Sequence, residues 1–382
     1  VRTVKPGATR AQDFEPEYIA FSPDSRTAYV SLQEANAIAK LDLTAGRFTR
    51  VYGLGYKDAS IAHNAMDASD KDEAINIRAW PVLGMYMPDG VASYTAGGRT
   101  YLLTPNEGDS KDWSGFSEEA RVEDLKDQYA LNASLFQGLT QAQIDEMAAG
   151  GLFDKEQLGR LHTTVSAPKN SEGKYEAVYA YGGRSFSIWN ADDMTLVYDS
   201  GSDFERIIAR AMPDFFNANN DENGFDARSD DKGPEPEAVV TGAVDGSHYA
   251  FIGLERLSGI MVYNIDDPVK PAFVAYANSR SFDAEVPEGD VAPEGLTFVQ
   301  AQDSPTGTPL LLAAHEVSGT VAVYEIVRGN AGKGESEPSA SAKTITILHT
   351  NDSHARVEEA EFDGMGFAKL SAIVKEKRAN DP

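Results

Sequence analysis

The chain has 382 residues, no cysteine, and 60 acidic against 34 basic side chains, a formal charge of −26. That balance excludes a nucleic-acid binder, because no basic face is left to neutralise phosphates. The lack of thiols excludes a disulfide framework and any thiolate metal site, and no apolar run reaches the length of a membrane span. The charge suits either cation binding or solubility in a salty or extracellular setting.

In chain order, residues 1–15 are a lead-in with one short β-type run. The chain opens at Val1 and closes on EKRANDP directly after a helical pattern. It therefore reads as a piece of a longer protein, and the missing leader carries no information about export. A first β-meander follows from Glu15 to about Gly55, as EPEYIAF, TAYVSLQE and NAIAKLDL, with Asp-Ser and Ala-Gly turns between the runs. Residues 56–87 read as a long solvated loop. Its DASDKDE segment resembles a calcium loop only loosely, since the glycine of an EF-hand turn is missing.

A second meander opens at Pro88 with PDGVASY and RTYLLTPNE and is interrupted after Asn106-Glu107-Gly108-Asp109. The interruption, about 110–160, reads as a helical insertion. Thr140-x-x-Gln143 is a capping box for QAQIDEMAA, Gly150-Gly151 ends that helix, and Asp154-x-x-Gln157 predicts another short one. Strands return at LHTTVSA and EAVYAYGGRSFSIWNADDMTLVYDSG, with Arg184 where other repeats carry Glu. Residues 217–232 form an acidic, Asn-rich loop. Asp221, Asn223 and Asp226 around Gly224 offer oxygens at alternate positions, which fits a calcium loop and equally an Asx-turn loop.

The fullest repeat spans 233–265, as EAVVTGAV, YAFIGLE and GIMVYNI, and another runs from Pro293 through APEGLTFV, PLLLAAHE and SGTVAVYEI. Acids recur at matched places. The interval is 17 residues from Glu17 to Glu34, 18 from Asp89 to Glu107, 18 from Glu237 to Glu255, and 22 from Glu294 to Glu316. Four such meanders, far apart in the chain, predict propeller blades. Glu17, Asp89, Glu237 and Glu294 stand just before the innermost strand of each blade, and Glu34, Glu107, Glu255 and Glu316 just after the second. Neighbouring strands are antiparallel, so both sets should face one end of the propeller. Carboxylates converging there need a hard cation such as Ca²⁺ or arginines, with Arg184 and Arg256 the obvious partners. The same acids could instead hold blade turns through hydrogen bonds and ion pairs. His315 reads as a packing variant of Asn106.

Residues 329–343 have the composition of a flexible linker. From 344 the pattern changes to a buried-type strand, TITILH, the polar turn TNDSHARVE, and a helix with Phe367, Leu370, Ile373 and Val374 on one face. This is the β–loop–α start of an α/β domain, and Asp352 and His354, two apart after a buried strand, can point at one divalent metal.

Two resemblances follow from these residues. ILHTNDSHARVE with GFAKLSAIV, within 344–382, resembles the opening of the 5′-nucleotidase family of metallophosphoesterases. This implies a two-metal site for Zn, Mn or Mg, with Asp352 and His354 on the first metal, and a nucleotide or other phosphate-ester substrate. The later ligand motifs are absent, so this chain alone is expected to be inactive. Over 1–328, EPEYIAF, INIRAWPV, NEGDSKDW, GGRSFSIW, RSDDKGPEPE, GLERLSGIMVY and HEVSGTVAVYEI resemble exported bacterial choice-of-anchor I proteins. That resemblance implies a propeller-like domain in the periplasm, secreted, or anchored at the cell surface, sometimes labelled an alkaline phosphatase.

The fold expected is mainly β: a partial propeller over 1–328 lacking upstream blades, a linker, and the first β-α unit of a metallophosphoesterase domain. Three functions fit. The parent chain is an exported phosphoester hydrolase with the propeller as accessory, or the propeller is a calcium-stabilised ligand-binding module without catalysis, or it is itself a calcium-dependent alkaline phosphatase.

Overall fold

A computed structural model describes residues 1–283 and 287–327. The linker expected at 329–343 and the β-α unit expected at 344–382, including Asp352 and His354, lie outside the described residues.

The meanders form as their alternating Val, Ile, Tyr and Ala residues dictate. The first blade is a four-stranded antiparallel sheet of Pro16–Phe21, Thr27–Leu32, Ala37–Asp42 and Arg47–Gly53. The second contains Ala92–Ala96, Arg99–Pro105, Phe186–Asn190 and Leu196–Asp199, so its third strand comes from beyond the interruption. The third is Pro236–Val244, Ser247–Leu254, Ile260–Asn264 and Ala272–Ala277. The last comprises Pro293–Val299, Leu310–His315 and Thr320–Glu325. The protein is thus mainly β, and the blades lie side by side through their innermost strands. No sheet among the described residues closes into a barrel.

Apolar faces meet between adjacent blades. Tyr29, Ile38, Leu102 and Trp189 fill the space between the first and second, and Leu103, Phe186, Ile252 and Tyr263 that between the second and third. Phe251, Ile260, Leu311 and Ala313 join the third to the last. Truncating one such aromatic, as in Phe186→Ala, removes about 3–5 kcal/mol through lost burial and the cavity left behind. The innermost strand of the first blade differs, with Tyr18, Ile19 and Phe21 exposed.

Three excursions leave and rejoin the blades at one end. Register fixes this: Gly53 pairs with Ala37, Phe186 with Pro105, Ser187 with Asp199, and Pro236 with Leu254. Residues 54–91, 106–185 and 200–235 therefore all emerge beside the acids. The first two build one five-stranded sheet, ordered Glu119–Arg121, His162–Thr164, Val178–Tyr181, Val82–Met85 and Tyr56–Asp58. Its centre is a parallel pairing of Val178–Tyr181 with Val82–Met85. Residues 56–87 are therefore not one solvated loop, since they supply two strands and bury Trp80 and Val82.

The insertion is only partly helical. Helix Gln141–Ala149 forms with the Thr140/Gln143 capping box and buries Ile144, but strands Asp112–Trp113, Phe116–Ser117 and Glu119–Arg121 precede it. No helix starts at Asp154. Turns occupy 151–160, where Leu158 N–H bonds Leu152 O and Gly159 N–H bonds Asp154 O, so that Leu152, Leu158 and Leu161 can all enter the core. The β-type run of the lead-in likewise forms no strand. The regular element there is a short helix, Arg10–Asp13, and Asp13 accepts the backbone N–H groups of Val4 and Lys5. No helix among the described residues is long and apolar enough to cross a membrane.

Candidate functional site

The acids that open the blades are placed by β-bulges. In the first blade Pro16 pairs with Leu32 but Ile19 with Val30, so Glu17 falls in the irregular step. Glu237 lies in the same break between Pro236 and Val239, and Glu294 between Pro293 and Gly295. Each of these acids is the second residue of its strand rather than standing before it. A bulge leaves an extra residue unpaired and re-aims its side chain, here toward the end covered by the excursions. Asp89 reaches the same place from the loop before Ala92–Ala96, and the next residue, Gly90, donates its N–H to Glu237 O at 3.3 Å. A Cβ on Gly90 would sit 2.9 Å from that oxygen, so only glycine fits there.

The acids converge. One carboxylate oxygen from each of Glu107, Glu237 and Glu255 lies within 4.8 Å of the others, and all three residues are buried. Burial first, and then the charges of Glu107, Glu255, Asp89 and Glu294, lift Glu237 well above the usual carboxylate range. Asp89 is pushed up to about 9 by burial and by Glu107, Glu294 and Glu17. Its Oδ2 is buried and receives no hydrogen bond. Glu17 is exposed at its surface, yet the protein packed around it and the charges of Glu15, Asp109 and Glu107 raise it. Glu294 acts on both Asp89 and Glu237, and its carbonyl accepts from Tyr18 Oη at 3.4 Å. Glu316 donates its backbone N–H to Ala292 O at 2.9 Å.

Cations stand on one side of this cluster. Lys232 Nζ lies 3.0 Å from Glu107 Oε1, 3.1 Å from Glu235 Oε2 and 3.4 Å from Asp109 Oδ1. Arg256 bridges Glu235 Oε2 at 2.9 Å and Glu255 Oε1 at 2.9 Å. Gln33 Nε2 donates to Glu107 Oε2 at 2.6 Å, and Asn220 Nδ2 to Glu255 Oε1 at 3.0 Å. Glu235 is fully buried; burial opposes its charge, but Lys232, Arg228 and Arg256 outweigh burial and hold it below the usual range. No salt bridge reaches Asp89 or Glu237 among the described residues.

Several expected site residues go elsewhere. Glu34 turns to Glu15, with which it shares a hydrogen bond. Arg184 does not meet the converging acids. It pairs with Glu205 at 2.7 Å and donates to the carbonyls of Asp67, Ser229 and Asp231, tying the three excursions together. Of Asp221, Asn223 and Asp226, Asn223 Oδ1 accepts from Arg280 at 2.7 Å, Asp221 acts on the same arginine through its charge, and Asp226 joins Asp67 and Asp72. His315 is buried, and burial lowers its affinity for a proton, as suits a core residue. Sequence reasoning missed Glu235, Lys232, Gln33 and Asn220. The doubled Pro-Glu of GPEPE was the available signal for Glu235; nothing in the local pattern distinguishes the other three.

The chain is 29% identical over 184 residues to Gigasin-3a of Magallana gigas, a match covering 44% of this chain and 64% of that protein. It is 27% identical over 349 residues to a mesenchyme-specific cell surface glycoprotein of Strongylocentrotus purpuratus, covering 84% of this chain and 41% of that one. The chain thus spans less than two thirds of either relative. Among solved structures, the periplasmic gluconolactonase PpgL of Pseudomonas aeruginosa superposes with a TM-score of 0.30 at 13% identity, over 84% of this chain and 59% of that one. The family model of the choice-of-anchor I domain matches residues 1–268, and the chain belongs to that family.

Proposed function

We propose that this domain binds a hard divalent cation of the calcium class at the acid-lined end of its blades, through Glu107, Glu237 and Glu255 with Asp89 beside them. The carrying observation is the approach of three buried carboxylate oxygens to within 4.8 Å. Oxygens sharing one Ca²⁺ at 2.3–2.6 Å can stand up to about 5 Å apart, so the spacing suits that ion. An all-oxygen donor set favours calcium over zinc or copper. Burial first, and then the same excess of negative charge, raises the proton affinities of Asp89 and Glu237, and the ion would relieve that charge. The domain would then act as a cation-stabilised binding module in the periplasm, secreted, or at the cell surface. The surface location named for the sea-urchin relative agrees with that setting.

A second reading makes the same end hydrolytic. Lys232 and Arg256 stand against the acids, where they could grip phosphate oxygens while the ion polarises phosphorus. In a longer parent, Asp352 and His354 would instead carry Zn, Mn or Mg in a phosphoesterase unit, with the blades as accessory.

The test of cation binding is thermal. A ligand of the folded state alone adds about 2.7 kcal/mol at a hundredfold excess over its dissociation constant. Calcium should raise the Tm of metal-stripped protein, and Glu237→Gln should blunt the rise. An unchanged Tm at millimolar calcium would leave the acids as turn-holding groups.

A further inference from the structure

A second group of carboxylates lies where the first and third excursions meet. Asp67 and Asp226 are 0% and 2% exposed, Asp72 is half-buried, and one oxygen from each lies within 4.8 Å of the others. The loop that presents two of them is fixed by its own backbone. Asp67 Oδ2 accepts the N–H of Asn76, and Asp72 accepts Asn76 Nδ2 at 3.1 Å and the Ala74 N–H at 3.3 Å. From the other excursion, Asp226 Oδ1 accepts the Ser229 hydroxyl.

Two buried acceptors remain unused. Asp226 Oδ2 receives no hydrogen bond, and neither does Oδ1 of the fully buried Asn217, whose Nδ2 is committed to Ser229 Oγ at 2.8 Å and Glu205 Oε1 at 3.1 Å. An acceptor left bare inside a protein costs about 1–3 kcal/mol, more when it is charged. No salt bridge joins the three aspartates to a lysine or arginine among the described residues. Arg184 spends its charge on Glu205, and Arg78 stacks 3.8 Å from the Trp80 ring and donates to Gln157. Burial and the Glu205 charge push Asp67 up to about 7, while burial and the Asp67 charge push Asp226 up to about 8.

We propose that Asp67, Asp72 and Asp226 hold a second hard divalent cation, which clamps the first excursion to the third. It is separate from the acids at the blade ends and stands whether or not those bind metal. Carboxylates at this spacing, with no nitrogen or sulfur donor among them, select an ion of the calcium class. The chemical gain is the neutralisation of Asp226 and of the like charges facing it.

Calorimetric titration of Ca²⁺ into metal-stripped 1–382 distinguishes the sites. Asp226→Asn keeps the bond from Ser229 and should weaken one binding event by about tenfold or more, since affinity follows the number of charged ligands. Glu237→Gln should leave that event intact, so failure of the blade-end site would not imitate failure here. In hydrogen exchange, Ca²⁺ should slow the Asn76 amide in the wild type and not in Asp226→Asn. If Asp226→Asn does not fold, the half-buried Asp72→Asn gives the same readings. A variant that binds as many ions as the wild type with unchanged affinity overturns the proposal.

Discussion

Lys232 Nζ lies 3.0 Å from Glu107 Oε1, joining the third excursion to the end of the second strand of the second blade. Both residues are buried, and Glu107, Glu235 and Asp109 together hold the lysine charged against the cost of its burial. Removing one member of such a group leaves its partners buried and uncompensated, at about 3–5 kcal/mol. Lys232→Met should lower the urea stability of metal-stripped protein by that order. Calcium should recover part of the loss, because the ion neutralises the same acids. A loss below about 1 kcal/mol would mean that the buried acids do not depend on Lys232 for compensation.

Glu34 supplies a pH signature from a residue that is not itself one of the proposed metal ligands. Burial and the hydrogen bond it donates to the Glu15 carboxylate push Glu34 up to about 8, while Lys111, 3.0 Å from Glu15, helps keep that partner ionised. The folded pair therefore keeps a proton that the unfolded chain has released above its ordinary carboxylate range. Stability from this source is fully present below that range and is lost as pH rises to about 8, with a limiting slope of about 1.4 kcal/mol per unit. Glu34→Gln keeps a donor and removes the titration. Its Tm should fall less than that of the wild type between pH 5 and pH 8, and parallel curves would show that Glu34 is ionised throughout.

The phosphoesterase reading makes a negative prediction for this chain. On that reading Asp352 and His354 would supply two ligands, whereas a catalytic zinc takes three from the protein and two-metal hydrolysis needs both ions. Purified 1–382 should not hydrolyse AMP with added Zn²⁺ or Mn²⁺. Turnover that disappears in Asp352→Ala would overturn this. Hydrolysis of p-nitrophenyl phosphate that needs calcium, survives Asp352→Ala and is lost in Glu237→Gln would move the chemistry to the blade ends.

The blades and their acids were legible in the sequence because both are set by short-range order. An alternating strand, a turn and a closing acid recur at a fixed interval, and antiparallel pairing alone brings Glu237 and Glu255 to one end. The helix at Gln141–Ala149 was legible for the same reason, its capping box being local. Only the tertiary structure decided what surrounds the acids. The first two excursions share a sheet through a parallel pairing of Val82–Met85 with Val178–Tyr181, segments with no common sequence pattern. Bulges set Glu17, Glu237 and Glu294 in irregular steps of their strands, with Glu237 buried and Glu17 left exposed, while Glu34 goes to Glu15 and Arg184 to Glu205. Asp67 and Asp226 meet from opposite excursions. Charge compensation acts through space and depends on which groups are buried together. Periodicity can therefore place a carboxylate on a strand, but only the fold decides which cation, proton or carboxylate it faces.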